Sequence, residues 1–550
     1  MTTDEARHYR MRVQGMTCSH CAEVVTGALE GAGAQEVSVD YLKGEATFRF
    51  AGDLSTLRQA VIEAGYVPDG VVDVTQEGRG GAMRDGHDYD LVVVGSGGAA
   101  FAGAIRATEL GARVLMIERG TVGGTCVNVG CIPSKFLLRS AEVYHEAAHH
   151  PYRGVETRAS SVDLGELVRQ KGELTERLRQ EKYLDLIGEY GWELELGEAR
   201  FVDDGTLEVN GHRVRGRHYL LATGARPAVP PIPGLEEAGY LTSTTAMELD
   251  HVPESLLIIG AGYVALELGM VFRRLGSQVT IMQRGDRILR EYDPEVSDAV
   301  MEVLRREGIA VLTGARVERV LRDGGSKLLE VRTGDGTLTL RGEEVLVATG
   351  RSPNVEALDL PVAGVQLDDT GAVAVDEAQR TTNPRVWAAG DVTRTPQFVY
   401  VAAYEGGLAA GNALTGARTY RDLSALPSVI FTQPQIASVG MTEAEARAKG
   451  LEVRTSILPL DAVPRARVNG DDLGLFKLVA EASSDRLLGA QVVAENAGDV
   501  IYAAVLATRF GLRVSDLLDT FAPYLTMAEG LKLAAQSFSR DVKKLSCCAA

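Results

Sequence analysis

The chain has 550 residues, of which 45% are hydrophobic and 24% charged, and its net charge is −18. This composition is that of a globular protein with several domains, and the acidic charge argues against binding to nucleic acid or to an anionic membrane. The first residues lack an apolar signal core, and the most apolar stretch contains Glu267 and glycines. We therefore expect a cytoplasmic protein without membrane insertion.

Residues 1–75 are predicted to form a unit of their own. Alternation predicts strands in RMRVQGM, VSVDYLKGEATFRF and VVDVTQ, and helical periodicity predicts helices in CAEVVTGALEGAG and DLSTLRQAVIEAGY. The resulting order β-α-β-β-α-β is the ferredoxin-like pattern. The glycine-rich, charged residues 76–88 that follow are predicted to be a flexible linker.

From residue 89 onward, buried strands alternate with helices, which indicates α/β architecture with parallel sheets. Residues 90–120 and 255–285 both run strand, glycine turn, helix, strand, and LLATGARP and LVATGRSPN echo each other. This repetition predicts two Rossmann-like dinucleotide-binding domains followed by a separate α+β domain. The predicted domains are residues 89–235 with 353–425, residues 236–352, and residues 426–550.

The first glycine fingerprint is Gly95-x-Gly97-x-x-Ala100, which follows an apolar strand and opens a helix. Glycines here let the backbone approach a pyrophosphate, and the helix N-terminus favours its negative charge. Glu118 closes the next strand about 20 residues later, where a carboxylate would hold a ribose hydroxyl. The pattern predicts a dinucleotide site.

The second fingerprint is Gly260-x-Gly262-x-x-Ala265. At its ribose-acid position the segment VTIMQRG has a glutamine, and Arg284 and Arg290 follow. Loss of the carboxylate together with nearby arginines suits a 2′-phosphate, so NADPH is favoured over NADH. The alternative is that these arginines are only solvated surface charges.

The segment GGTCVNVGCIPSK contains Cys126 and Cys131. In a regular helix five residues rise about 7.5 Å, which is too far for an unstrained disulfide. Pairing of these thiols therefore requires a distorted helical turn, and the bond would be easily reduced. Together with WAAGDV at 387–392, this segment resembles the active-site region of the pyridine nucleotide–disulfide oxidoreductases, and the similarity extends over about residues 89–540.

That resemblance implies a homodimer with FAD in each subunit, in which electrons pass from NADPH to FAD and then to the Cys126/Cys131 pair. Cys131 would contact the flavin and Cys126 would exchange with the substrate. Lys135 would lie beside the reactive edge of the flavin and pair with Glu267. The other implied contacts to FAD are Ala100, Gly120, Thr125, Ala199, Asp391 and Val399.

Disulfide reductases of this family carry a His-Pro motif with a glutamate five residues after the histidine. The histidine of one subunit protonates a departing thiol in the partner's site. Here FAPYLTMAEG places Tyr524 at the histidine position and keeps Glu529, and the last histidine in the chain is His251. A phenol with a pKa near 10 cannot readily exchange a proton at neutral pH. We expect a substrate without a departing thiol, unless Tyr524 is only a packing residue.

The remaining cysteines point to a soft metal ion. GMTCSHC, with Cys18 in a loop and Cys21 beginning a helix, resembles the heavy-metal-associated domain of copper chaperones and metal pumps. A helix N-terminus lowers a thiol pKa, and thiolates select soft ions. The vicinal Cys547 and Cys548 can hardly bridge each other, because neighbouring Cα atoms lie about 3.8 Å apart and disulfides prefer roughly 4.4–6.8 Å.

The three cysteine pairs and the tyrosine substitution together resemble the mercury-reducing members of the family. That resemblance implies that the partner's active site receives Tyr524, Cys547 and Cys548 of this chain. Tyr183, in EKYLDLI, matches a second active-site tyrosine. The resemblance implies that Hg(II) is the substrate, that it passes between cysteine pairs, and that a membrane mercury transporter is a candidate donor.

Two alternatives remain open. One is an FAD-dependent disulfide or dithiol oxidoreductase, which would turn over a small disulfide but no mercuric thiolate complex. The other is a metal carrier with an idle flavin core, which would bind metal without consuming NADPH.

Overall fold

The computed structural model describes residues 7–16, 19–41, 44–73 and 87–544. The chain divides into two compact units, residues 1–88 and 89–550, which are described separately. Most of the predicted linker lies outside the described residues. Within the described ranges, no helix is both long and apolar enough to cross a membrane.

The first unit is a four-stranded antiparallel sheet with two helices. Its elements are β1 Arg7–Gln14, α1 Ser19–Gly31, β2 Gln35–Asp40, β3 Glu45–Phe50, α2 Leu54–Glu63 and β4 Val67–Asp73. The strand order is β2-β3-β1-β4. Met11, Val25, Leu29, Phe48 and Leu57 are fully buried between the sheet and the helices. The predicted ferredoxin-like fold is confirmed.

The second unit begins with the first dinucleotide fold and the redox helices. Its elements up to residue 227 are β5 Tyr89–Val94, α3 Gly98–Glu109, β6 Val114–Glu118, α4 Gly124–Val129, α5 Cys131–Glu146, α6 Leu164–Arg179, α7 Asp185–Tyr190, β7 Glu193–Leu196, β8 Ala199–Asp203, β9 Thr206–Val209, β10 His212–Val214, β11 Gly216–Leu221 and β12 Ala225–Pro227. Strands β8 to β10 form a small antiparallel sheet.

The second dinucleotide fold follows. Its elements are α8 Leu235–Ala238, α9 Ser243–Ala246, β13 Ser255–Ile259, α10 Tyr263–Leu275, β14 Gln278–Met282, α11 Pro294–Arg306, β15 Ala310–Leu312, β16 Arg316–Asp323, β17 Ser326–Thr333, β18 Gly336–Gly342, β19 Glu344–Val347 and β20 Arg351–Pro353. The parallel sheet has the order β15-β14-β13-β19, and β16-β17-β18 form an antiparallel sheet.

The chain then returns to the first fold through β21 Val386–Ala388 and α12 Val399–Thr415. Strand β21 completes a five-stranded parallel sheet with the order β21-β11-β5-β6-β7. The central strand β5 is buried on both faces, as its continuous apolar run predicts. Helix α12 packs against α3, so the two ends of this discontinuous fold form one layer.

The last part of the chain is an antiparallel α+β domain. Its elements are β22 Pro427–Ile430, β23 Gln435–Gly440, α13 Glu443–Ala448, β24 Val453–Pro459, α14 Pro464–Asn469, β25 Leu475–Glu481, β26 Leu487–Ala494, α15 Ala497–Arg509, α16 Val514–Asp519 and α17 Glu529–Gln536. The sheet order is β22-β23-β26-β25-β24. Every residue of β26 is buried because helices cover the sheet.

The echo between the two dinucleotide folds has a structural cause. Gly95 and Gly260 have φ of +111° and +108°, and a Cβ there would lie 2.3 Å from the carbonyl oxygen of Ala222 and 2.2 Å from that of Ala348. Only glycine fits, and the same close approach occurs in each half. The echoing segments also pair with each other as β12 and β20.

Candidate active site

Two successive helices carry the predicted redox pair. Cys126 lies in α4, Cys131 begins α5, and Gly130 separates the helices with φ −130° and ψ −111°. A Cβ at Gly130 would lie 2.9 Å from the carbonyl oxygen of Thr125 and 3.3 Å from Cα of Cys126. The helix is therefore interrupted between the thiols, which hydrogen-bond to each other. This is the kind of distortion that their spacing requires.

The two thiols titrate in opposite directions. The hydrogen bond from Cys126, assisted by the positive charge of Lys135, lowers the pKa of Cys131 to about 7, although burial opposes the shift. The same hydrogen bond, together with burial, raises the pKa of Cys126. Near neutral pH the reduced pair therefore holds its thiolate on Cys131, with Cys126 as the hydrogen-bond donor. A thiolate is the form that reacts with disulfides and binds metals.

Lys135 lies one helical turn after Cys131, and its ammonium contacts Glu267 and Phe431. Its Nζ lies 2.7 Å from Oε2 of Glu267, which is buried in α10. The other oxygen of Glu267 accepts a hydrogen bond of 3.0 Å from the backbone N–H of Phe431. The Phe431 ring also faces Nζ at 4.5 Å from its centroid. The pairing of Lys135 with Glu267 is thus present, whereas no sequence motif pointed to Phe431.

Tyr183 also lies near the thiol pair. It belongs to a π-helical turn, Gln180–Leu184, between α6 and α7, and such turns are frequent at functional sites. Its ring packs edge-on against Phe101 with a centroid distance of 4.8 Å. Burial and then the nearby charges of Cys126 and Cys131 raise the pKa of Tyr183. Its hydroxyl therefore stays protonated beside the thiols.

The first fingerprint loop is joined to the redox helices by Ser96, which the sequence analysis missed. Ser96 Oγ donates a hydrogen bond of 2.6 Å to Oε2 of Glu118 and accepts one of 3.1 Å from the N–H of Gly123. A Cβ at Gly124 would lie 2.6 Å from Cα of Gly97, so the two loops are in direct contact. The only signal for Ser96 was its place between two fingerprint glycines.

A recess opens beside this loop. Its walls include Gly95, Glu118 and Ala199 from the predicted set. The second carboxylate oxygen of Glu118 accepts a hydrogen bond of 2.7 Å from the N–H of Gly120. A glycine floor with a carboxylate at the end of the second strand suits the adenosine half of a dinucleotide.

The WAAGDV motif runs from the end of β21 into a 3-10 turn, Gly390–Val392, that precedes α12. Gly390 has φ of +74°, and a Cβ there would lie 3.0 Å from Cβ of Ala402. The next residue, Asp391, lies 3.5 Å from Nε of Arg351. Burial raises the pKa of Asp391, and the charge of Arg351 opposes the shift. Arg351 Nε is buried without a hydrogen-bond partner among the described residues, so these groups fit a polyhydroxyl ligand such as the ribityl chain of a flavin.

Three other predicted flavin contacts lie in α3, α4 and α12. Ala100 is fully buried within α3, and Thr125 lies in α4 next to Cys126. Val399 begins α12, and its Cγ2 would lie 3.1 Å from a Cβ at Gly98. The first dinucleotide fold therefore brings its predicted residues to one region, and the residues present fit a flavin nucleotide.

The second fingerprint has the same geometry as the first. Gly262 caps α10, and Ala265 is fully buried. Arg284 is exposed just beyond β14, and Arg290 is exposed and paired with Asp286 at 2.5 Å. The structure places both arginines in the loop after β14, which is where a ribose 2′-substituent would lie. Their role stays a prediction.

Tyr524 and Glu529 lie in the C-terminal domain. Tyr524 is 54% exposed in the loop before α17, and Glu529 is buried at the start of that helix. Glu529 accepts a hydrogen bond of 3.2 Å from the N–H of Leu525, and burial raises the pKa of Glu529. Phe521 and Phe510 on the same domain are 97% and 73% exposed. An action of Tyr524 in a partner's site stays a prediction.

The metal-binding predictions at the two ends of the chain are described only in part. Cys21 lies in the first turn of α1 and is partly exposed. Cys18, Cys547 and Cys548 lie outside the described residues. The predicted metal sites at both ends therefore stay predictions.

Three protein families match this chain. Residues 89–406 match the pyridine nucleotide-disulphide oxidoreductases, residues 426–535 match the dimerisation domain of that family, and residues 10–67 match the heavy-metal-associated domain. The chain belongs to the pyridine nucleotide-disulphide oxidoreductase family. Membership implies a flavin and a nicotinamide cofactor, and the dimerisation domain indicates a homodimer.

Named relatives of this chain identify a group within the family. A mercuric reductase of Staphylococcus aureus is 52% identical over 98% of this chain and 99% of its own length. One of Bacillus cereus is 52% identical over 100% of this chain and 88% of its own length. One of Streptomyces lividans is 50% identical over 84% and 98% of the two chains. Within its family, the chain is a member of the mercuric reductase group.

Solved structures agree with the fold. The HOCl-induced flavoprotein disulfide reductase RclA of Escherichia coli superposes with a TM-score of 0.74 at 29% identity, over 82% of this chain and 99% of its own. A Cu(II) complex of the same protein gives a TM-score of 0.74 over the same shares. The predicted fold class is thus confirmed.

Proposed function

We propose that this protein is a cytoplasmic enzyme that uses NADPH and FAD to reduce Hg(II) to elemental mercury. Its membership of the mercuric reductase group supports the reaction. The observation that carries the proposal is the Cys126/Cys131 pair, which is hydrogen-bonded across the helix break and holds a thiolate near neutral pH. Two adjacent soft sulfur ligands of this kind suit a thiophilic ion.

The absence of a late histidine supports a metal over a disulfide as the substrate. Reduction of a disulfide releases a thiolate that must be protonated, and imidazole is the side chain suited to do so at neutral pH. The last histidine of the sequence is His251, and Tyr524 stands in the family's histidine position. Reduction of Hg(II) to Hg(0) consumes two electrons and needs no proton at the metal.

The residues of the site have distinct roles in this proposal. Cys126 and Cys131 bind Hg(II) by displacing its two thiolate ligands. The proton of the Cys126 thiol leaves with one displaced ligand as a free thiol, and the other ligand leaves as a thiolate in exchange for the thiolate of Cys131. Lys135, oriented by Glu267 and by the N–H of Phe431, stabilises negative charge next to Cys131. Tyr183 keeps a neutral hydroxyl near the thiol pair. When bound, FAD supplies two-electron transfer from the NADPH hydride to this site.

The cofactor assignments rest on the two dinucleotide folds. FAD is proposed for the first, because the recess at Glu118 and the buried Nε of Arg351 beside Asp391 fit an adenosine and a ribityl chain. NADPH is proposed for the second, because Arg284 and Arg290 follow the strand that lacks a ribose-binding acid.

A relay of thiols is proposed to deliver the metal. Cys18 and Cys21 would acquire Hg(II), for which a membrane transporter is the proposed donor. Cys547 and Cys548 would carry it to the partner's Cys126/Cys131 pair. Tethering raises the effective concentration of a ligand to the millimolar range, and this matters for an ion that travels only by exchange between thiols.

The test follows oxidation of NADPH by the purified holoenzyme with Hg(II) in excess thiol, alongside glutathione disulfide as a control. We expect turnover with Hg(II), one volatile mercury atom per NADPH, and little with the disulfide. Turnover of the disulfide alone would support a disulfide reductase. Stoichiometric metal binding without NADPH consumption would support a carrier.

A further inference from the structure

A fully buried carboxylate lies next to the flavin turn but belongs to none of the motifs. Glu405, in α12, has no solvent-exposed surface. Its Oε2 accepts hydrogen bonds of 3.0 Å from the N–H of Gly390 and 3.1 Å from Oγ1 of Thr395. Burying a carboxylate is costly unless it is paired and hydrogen-bonded, so its partners indicate what it does.

Glu405 is part of a network that holds both backbone groups of Gly390. The Gly390 N–H is held by Glu405, and its carbonyl oxygen accepts a hydrogen bond of 2.8 Å from Oγ1 of Thr393. Oγ1 of Thr393 lies 3.0 Å from Oγ1 of Thr395, which closes the network. The turn that presents Asp391 is therefore fixed by side chains on both sides.

The second oxygen of Glu405 is only loosely engaged. Oε1 lies 3.5 Å from Nη1 of Arg421, and neither atom has a hydrogen-bond partner among the described residues. The two short hydrogen bonds of the Glu405 carboxylate are thus both made by Oε2, which accepts the one from the N–H of Gly390. Packing also restricts the position of Glu405, because α12 and α3 touch at the next residue. A Cβ at Gly406 would lie 2.0 Å from the carbonyl oxygen of Ala99.

We propose that Glu405 is a positioning residue for the flavin: its carboxylate holds the N–H of Gly390 and so orients Asp391 toward the bound cofactor. This proposal rests on the flavin site proposed above. It predicts that the acceptor oxygen, and not the negative charge, is what flavin binding requires. An amide oxygen in the same place should therefore serve nearly as well.

The test measures flavin binding to the full-length protein without mercury, by fluorescence of released FAD at equilibrium. We expect Glu405→Ala to weaken FAD binding about tenfold, since the hydrogen bond that holds the N–H of Gly390 is lost. Glu405→Gln should bind FAD almost as tightly as the parent. The matched control is Asn383→Ala, which removes another buried side chain that bonds to backbone carbonyls in the same fold.

Melting temperatures of the flavin-free variants separate positioning from general stability. The proposal is overturned if Asn383→Ala and Glu405→Ala lose FAD equally, or if Glu405→Gln binds as weakly as the alanine variant. Should the alanine variant not fold, Thr395→Val decides. It removes the second donor to Oε2, so it should weaken FAD binding, and parental affinity in it would overturn the proposal. Mercury turnover does not enter these measurements.

Discussion

The interruption of the helix at Gly130 makes a direct prediction about the redox pair. In Gly130→Ala, the added Cβ would lie 2.9 Å from the carbonyl oxygen of Thr125 and 3.2 Å from its Cγ2. Real Cβ atoms essentially never approach backbone within 3.0 Å, so α4 must move away from α5. Cys126 lies on α4 and Cys131 on α5, so the same movement separates the thiols.

Overpacking of this kind costs about 1–3 kcal/mol. A disulfide brings the two sulfur atoms closer than the hydrogen-bonded thiols are, so the strain should fall mainly on the oxidised state. A strain of about 1.4 kcal/mol on that state alone makes a two-electron potential about 30 mV more positive. We therefore expect Gly130→Ala to be less stable and to form its disulfide less readily.

The assay equilibrates the full chain in glutathione redox buffers, alkylates free thiols and quantifies the peptide holding Cys126 and Cys131 by mass spectrometry. Urea unfolding of the same samples reports stability. The matched control is Gly172→Ala in α6, where an added Cβ meets nothing within 4 Å, and which should be neutral or stabilising by up to about 1 kcal/mol. If Gly130→Ala kept the parental potential and stability, the role given to the helix break would be wrong.

Four further predictions follow from the site and the sequence. Because the pKa of Cys131 is lowered to about 7, its alkylation rate by iodoacetamide in the reduced protein should fall about tenfold per pH unit below that value and level off above it; a midpoint near the ordinary thiol pKa of about 8.5 would contradict this. Tyr524→Phe should slow mercury reduction about tenfold, the worth of one hydrogen bond, while stopped-flow reduction of the flavin by NADPH stays unchanged; parental turnover would make Tyr524 a packing residue. Replacing Cys547 and Cys548 by alanine should abolish reduction of Hg(II) held by large thiols but spare reduction of the flavin, and a parental rate would show that the tail carries nothing. Cleavage in the linker, residues 76–88, should leave a core that reduces Hg(II) when exchangeable ligand is abundant, and complete loss of turnover in a folded, flavin-loaded core would refute a purely metal-acquiring first domain.

Much of the catalytic chemistry is local in the sequence and could be predicted there. The two glycine fingerprints are short because a strand, a turn and a helix N-terminus suffice to approach a pyrophosphate. The thiol pair and the tyrosine in place of histidine are single-segment signals as well. Even the similarity of LLATGARP and LVATGRSPN was visible, although the close approach of Gly95 and Gly260 to these segments and the pairing of β12 with β20 were not.

The residues that orient this chemistry came only from the tertiary structure. Phe431 holds Glu267 by a backbone N–H, which any residue except proline could supply. Ser96 and Glu405 act through hydrogen bonds to segments that follow or precede them in the chain. Such contacts have no periodicity and no fixed spacing, because they depend on how α3 packs against α12 and how α10 packs against β22. The sequence by itself therefore determined which groups react, and the packing of the folded chain decided how they are held.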